Sequence, residues 1–187
     1  MSKPAIEHVE ISAGAWQLRP PHPREAEDAL AMLHDPLTRR WNDAPKVVDL
    51  ATARAWCESG ADWSDGTHAT FSVLDATTGR LAGTISLWQI DLQESRSAWV
   101  GYRTAPWARG CGVATAALLA VTGWAFGGLG VERISLPHTV GNEASCRVAE
   151  KAGYVLEGIM RGAWREPDGT RLDDHLHARL SIDPYPA

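Results

Sequence analysis

The chain has 187 residues, 44% hydrophobic and 22% charged, with a net charge of −5. That composition fits one soluble globular domain with a sizeable core and excludes a general nucleic-acid surface. No run approaches the ~18 apolar residues of a membrane span, and Met1-Ser2-Lys3-Pro4-Ala5 lacks the apolar core of a signal peptide.

The predicted elements alternate between helical and strand periods. Ala15 to Arg19 reads as a first strand, punctuated by Pro20, Pro21 and Pro23. Pro23 suits the first turn of a helix through Leu33, with Ala26, Ala29, Leu30 and Leu33 on one face. Pro36 to Trp41 and Leu50 to Ser59 read as further helices, and Asp62 to Thr67 as loop. The period then switches to two. Thr70 to Leu74, Leu81 to Ile90 and Ser97 to Thr104 form a three-strand meander, with Gly101 expected to mark a bulge. Val113 to Phe126 is helical, Arg133 to Leu136 a strand, and Glu143 onward a helix. Asn142 can cap that helix and Gly153 can end it in a left-handed turn. A strand follows from Val155, and the last strand is Leu176 to Leu180. Three cysteines, Cys57, Cys111 and Cys146, form no C-x-x-C pair. Their spacing argues against disulfides or structural zinc and for a reduced cytoplasmic setting.

Arg109-Gly110-Cys111-Gly112-Val113-Ala114-Thr115 is a glycine-rich turn that enters a helix. Such a turn presents unpaired backbone N–H groups and the positive end of the helix dipole, a seat for a pyrophosphate. A Walker A loop fails because no Lys follows, and Thr115 stands where a dinucleotide fingerprint needs its third Gly. The pattern Q/R-x-x-G-x-G/A is met by Arg109, Gly112 and Ala114. Downstream, Asn142-Glu143-Ala144-Ser145-Cys146-Arg147-Val148-Ala149-Glu150-Lys151-Ala152-Gly153-Tyr154 runs on to Glu157-Gly158. Together, correctly ordered, the two segments resemble the acetyl-CoA segments of the GNAT (Gcn5-related N-acetyltransferase) superfamily. They are most similar to the RimJ/RimL branch, which acetylates N-termini of ribosomal proteins. The resemblance spans about Gln17 to Leu180, so one domain is expected over residues 1–187 with its core at about 15–181. It implies a mixed α/β fold: a twisted, largely antiparallel sheet with a splayed central strand pair and flanking helices.

Transfer of an acyl group from a thioester to an amine needs a held cofactor, a neutral amine, a donor for the oxyanion and a proton for the thiolate. The resemblance assigns acetyl-CoA to the turn Arg109, Gly110, Cys111, Gly112, Val113, Ala114 and Thr115, and to Val100, Gly101 and Tyr102 of the splayed strand. Arg109 is expected to pair with phosphate, and Asn142 to bind the pantetheine amide. Many members carry a tyrosine where this chain has Ala149. Ser145, four residues earlier on the same helix face, is expected to stabilise the leaving thiolate.

The base stays open. Trp99 and Trp164 stand near positions where relatives carry Glu, and both are assigned to the substrate cleft. Glu166, in a Pro-Asp-Gly turn, is the candidate base, with a solvated carboxylate as the alternative. Asp173 or Asp174 matches an acidic position opening the family's last strand, with a structural role. His175 and His177 share a strand face and read as structural histidines, with a proton relay or a metal as alternatives. No metal is expected. Of the nine tryptophans, most are expected in the core or in subunit interfaces. The resemblance thus implies a cytoplasmic acetyl-CoA-dependent N-acetyltransferase acting on a protein N-terminal α-amine, as a homodimer, with no nucleic-acid or membrane partner. A small-amine acetyltransferase and a non-catalytic CoA-binding module are the alternatives.

Overall fold

Gly14, at a φ of +64°, turns the chain between β1 (Ile11–Ala13) and β2 (Trp16–Arg19). The expected first strand is therefore the second. β1 has only three residues, too short a run for its Ile-Ser-Ala alternation to mark a strand, so its pairing with β2 reveals it. The structure, a computed structural model, describes residues 5–42, 46–166 and 168–186. The N-terminal residues 1–4 and Pro167 of the expected turn lie outside them.

After a 3-10 turn at Pro23–Glu25, α1 (Ala26–His34) buries Ala26, Ala29, Met32 and Leu33. Its helical period is the expected one. α2 (Pro36–Trp41) starts with Pro at its first turn and Asp35 as cap, whose carboxylate accepts from the Thr38 N–H. α3 (Leu50–Ala61) is capped by Asp49 in a reciprocal arrangement with Thr52.

β3 (Ala69–Asp75), β4 (Leu81–Asp91) and β5 (Ser97–Thr104) form the meander. Then come α4 (Val113–Trp124), β6 (Arg133–Thr139), α5 (Glu143–Lys151), β7 (Val155–Arg165) and β8 (Arg171–Leu180). A π turn at Ala125–Leu129 ends α4, where Gly127 and Gly128 give a sequence reader little period to follow. The eight strands form one sheet in the order β1-β2-β3-β4-β5-β6-β8-β7. Every neighbouring pair is antiparallel except β5 with β6.

That parallel pair is short. Ser97, Ala98 and Trp99 face Arg133, Ile134 and Ser135, and pairing stops there. β5 runs on to Thr104 and β6 to Thr139, so the two strands diverge and open a slot. Pro137 sits in β6 beyond the last β5 pair, where the flank toward β5 has no ladder bond to lose. The expectation of a splayed pair is met.

Gly101 is not a bulge. Pairing between β4 and β5 is regular from Gly83–Thr104 to Trp88–Trp99, and the irregularity lies in β4 between Trp88 and Asp91. Gln89 there adopts a φ of +50°. Gly101 serves a different need: a Cβ at this position would come within 3.0 Å of the Trp88 indole.

The largest apolar cluster joins one face of the sheet to α4. Phe71, Ile85, Leu87, Val100, Leu118, Val121 and Ile134 are among its fully buried members. Trp63 packs at its edge against Phe71 and Trp124, with ring centroids 4.9 and 6.0 Å away. Burial of such side chains contributes about 1.5–3 kcal/mol each. This rigid layer fixes the start of α4 beside the slot.

Candidate active site

A cleft of about 780 Å³ runs along the slot between β5 and β6. At one end lies the start of α4. Gly110 and Gly112 take φ values of +77° and +79°, conformations that cost an L side chain about 1–2 kcal/mol. Gly112 occupies the cap position of α4 in the left-handed region, with no side-chain cap. The first-turn N–H groups that Asp35, Asp49 and Asn142 partly satisfy in α2, α3 and α5 are thus left for a ligand at α4. An added Cβ at Gly110 or Gly112 would meet no protein atom within 4 Å, so the space in front of both is open. The residues present therefore fit a pyrophosphate-bearing cofactor.

Of the expected cofactor residues, Gly101, Tyr102, Arg109, Gly110, Gly112, Val113, Ala114, Thr115, Asn142 and Ser145 line this cleft. Val100 and Cys111 do not. The Val100 side chain is fully buried in the core, leaving only its backbone near the slot, and Cys111 is exposed outside it. Arg147 and Lys151 also line the cleft and bring positive charge to it. Their i, i+4 spacing on α5 was the available sequence signal.

Arg109, expected to pair with phosphate, has partners within the chain. Its guanidinium donates to the Asp35 carboxylate and, at 3.0 Å, to the Thr38 hydroxyl, tying the loop to α2. The Arg109 hydrogen bond holds the Asp35 carboxyl below the ordinary carboxylate value. Asp35→Ala removes this tie and the α2 cap together and is expected to destabilise the chain by about 2 kcal/mol. A depressed folded pKa gives stability that is present above the unfolded value, about 3.9, and is lost as pH falls through the folded one. The gap between wild type and variant in urea midpoints should therefore hold from neutral pH to about pH 4 and narrow below it. A gap independent of pH would rule out the ionised carboxylate as its source.

At the waist of the cleft, Ser145 is buried on the first turn of α5, where the Asn142 side chain accepts from its N–H. The Ser145 Oγ lies 2.7 Å from the Tyr102 hydroxyl, which also approaches the Ser145 carbonyl at 3.4 Å. Burial pushes the Tyr102 phenol well above its ordinary value, so it stays protonated and can donate to Ser145. The position of the missing helix tyrosine, Ala149, is fully buried in the core. The tyrosine beside Ser145 comes from β5 instead. Two residues this far apart in sequence are joined only by the fold.

Beyond the waist the cleft is walled by Trp41, Trp88 and Trp164. Trp164, assigned to the substrate cleft from the sequence, is one of these lining residues. Trp99 is half-buried opposite Trp88 and is not among the lining residues. Glu166 is not among them either. Its backbone closes the β7–β8 hairpin through bonds with Thr170 and Gly169. The carboxylate that does line the cleft is Asp174. It is buried, and among the described residues its Oδ1 has no hydrogen-bond partner. Burial is the largest influence raising its pKa, with a bond from Thr139 opposing. The sequence leaves Asp173 and Asp174 as alternatives just before a last strand expected at Leu176, and the structure places both inside β8. The burial of Asp174 was not legible, because β8 begins at Arg171, earlier than the apolar pattern suggests.

Residues 16–155 match the family described as Acetyltransferase (GNAT) domain. Two curated proteins of Bacillus subtilis (strain 168) are similar. "Probable N-acetyltransferase YjcK" is 36% identical over 51% of this chain and 56% of its own length. "Putative ribosomal N-acetyltransferase YdaF" is 40% identical over 44% of this chain and 45% of its own length. The chain thus spans about half the length of the curated relatives it matches. Among solved structures, Mycobacterium smegmatis RimJ in complex with CoA-disulfide superposes with a TM-score of 0.80 at 23% identity, covering 97% of this chain and 90% of that one. At that identity the likeness is one of fold. The cap-free glycine turn, the β5/β6 slot and the match over most of the sequence agree: the chain belongs to the GNAT acetyltransferase family.

Proposed function

We propose that the chain transfers the acetyl group of acetyl-CoA to a primary amine, preferring the N-terminal α-amine of a protein or peptide. The observation that carries this reading is one continuous cleft. It leads from a cap-free helix start, past the Ser145–Tyr102 pair, to a buried carboxylate between tryptophan walls. The first turn of α4, with Arg147 and Lys151 lining the same cleft, would hold the phosphates. The backbone of Val100 to Tyr102, which has lost β6 as a strand partner, would hold the pantetheine arm and thioester. Asp174 would take a proton from the incoming ammonium. With Tyr102 donating to its oxygen, Ser145 would donate to the departing thiolate. The name of YdaF, a putative ribosomal N-acetyltransferase, supports a ribosomal acceptor, and the RimJ/RimL resemblance of the sequence motifs extends that to a protein N-terminus.

Release of CoA from acetyl-CoA in the presence of N-terminal peptides tests the reading. Saturable, peptide-dependent release is expected. A chain that binds acetyl-CoA but acetylates neither peptides nor small amines would be a binding module. Asp174→Asn is expected to lower kcat/KM by about 10²–10⁴, the range for a positioned base, with acetyl-CoA affinity unchanged. Burial of Asp174 shifts the acid limb of the wild-type pH profile upward from the ordinary carboxylate value, and the variant should lose that limb. An unchanged profile would remove Asp174 from the proton path.

A further inference from the structure

Three histidines and one cysteine converge behind the waist of the cleft. Cross-strand pairing sets His138 of β6 opposite His175 of β8, and Leu136 opposite His177. Paired residues and alternate residues of a strand share a face, so all three imidazoles project from one side of the sheet. α5 crosses that side and presents Cys146. Its Sγ lies 3.5 Å from His138 Nε2 and 3.3 Å from His175 Nδ1. One donor atom from each of His138, Cys146, His175 and His177 falls within 4.8 Å of the others.

A tetrahedral ion with bonds of about 2.0–2.1 Å to nitrogen and 2.3 Å to sulfur sets donor separations of about 3.3–3.6 Å. Two separations already sit near that range. The remaining ring nitrogens are oriented as ligands need. His138 Nδ1 is 3.3 Å from the Thr139 carbonyl and His177 Nδ1 is 3.4 Å from the Tyr154 carbonyl. A proton on each Nδ1 leaves each Nε2 lone pair free, the arrangement that orients metal-bound histidines. His177 is fully buried, yet among the described residues its Nε2 has no hydrogen-bond partner. A buried imidazole nitrogen with nothing to bond is unusual, and a cation at the centre of the group would satisfy it.

We propose that His138, Cys146, His175 and His177 bind one divalent transition-metal ion of the zinc class. The ion forms a bond to the Cys146 sulfur as the thiol proton leaves to solvent, with no change of oxidation state. Four protein donors close the coordination shell, so the ion is structural and takes no part in acyl transfer. Its place is mechanical: it fastens α5, which carries Asn142 and Ser145, to β6 and β8. The sequence expectation of no metal rests on cysteines that form no C-x-x-C pair, with a metal at His175 and His177 as an alternative reading. His138 and Cys146 come from two other elements, which spacing cannot reveal.

Cobalt(II) reports the site directly. Chelator-treated, reduced full-length protein titrated with cobalt chloride is expected to bind one equivalent. It should show tetrahedral d–d bands and a thiolate-to-cobalt charge-transfer band, both bleached by zinc sulfate. Cys146→Ser should abolish the charge-transfer band and weaken zinc binding at least about tenfold, while Cys111→Ser should keep the band. Zinc should raise the thermal midpoint of the wild type and leave that of Cys146→Ser nearly unmoved. A folded wild type that binds neither metal stoichiometrically overturns the site. So does a Cys146→Ser variant with the full band, or a Cys111→Ser variant without it.

Discussion

Replacing Gly112 by valine is expected to weaken acetyl-CoA binding by about 10²-fold or more while leaving a folded chain. The left-handed conformation at Gly112 disfavours a β-branched residue, at a cost to folding of a few kcal/mol at most. The open space in front of it means that the new side chain meets no protein atom near its Cβ. It instead enters the volume where phosphate oxygens must reach the first-turn N–H groups of α4. Each hydrogen bond to a charged group contributes about 1.5–3 kcal/mol, so losing two accounts for at least about 3 kcal/mol, or roughly 150-fold. Calorimetry on the folded variant measures this. Unchanged affinity would place the cofactor elsewhere.

The second large effect is kinetic. Ser145→Ala should reduce kcat by about 10²–10⁴ with little change in acetyl-CoA affinity, because the hydroxyl is needed only when the thiolate leaves. Tyr102→Phe should lower kcat by a smaller factor, since Tyr102 acts through Ser145 and not on the sulfur itself. The double variant should then be no slower than Ser145→Ala alone, the signature of residues acting as one unit. Additive losses would separate the two hydroxyls, and full kcat in Ser145→Ala would leave Ser145 as a buried helix-start residue.

Local chemistry was legible where local rules decide. β5 has the bounds its alternation predicts, α4 starts where the glycines end, and Asn142 and Gly153 bracket α5 as cap and left-handed terminator. What the sequence hid was made by pairing across the sheet. The polar start of β8 reads as loop, yet it places Asp174 opposite Thr139 and His175 opposite His138. Trp88 and Trp99 face each other across β4 and β5, and nothing in their spacing tells which one reaches the cleft. The Ser145–Tyr102 contact spans 43 residues, and only the divergence of β5 from β6 brings it about.

An α-amine titrates near 7.7–8.0 and a lysine near 10.4, so at pH 7 about 10% of α-amines are already neutral against about 0.04% of lysines. That difference of about 3.4 kcal/mol is deprotonation that the site must otherwise supply. A single buried carboxylate and tryptophan walls that favour the neutral amine suit the easier substrate. The direct measurement is competition between N-terminal peptides with free and blocked α-amines, each carrying one lysine, with the acetyl group located by mass spectrometry. Acetylation at the free α-amine, with the blocked peptide left unmodified, is the predicted result. Acetylation mainly on lysine, or faster turnover of spermidine than of any peptide, would contradict it.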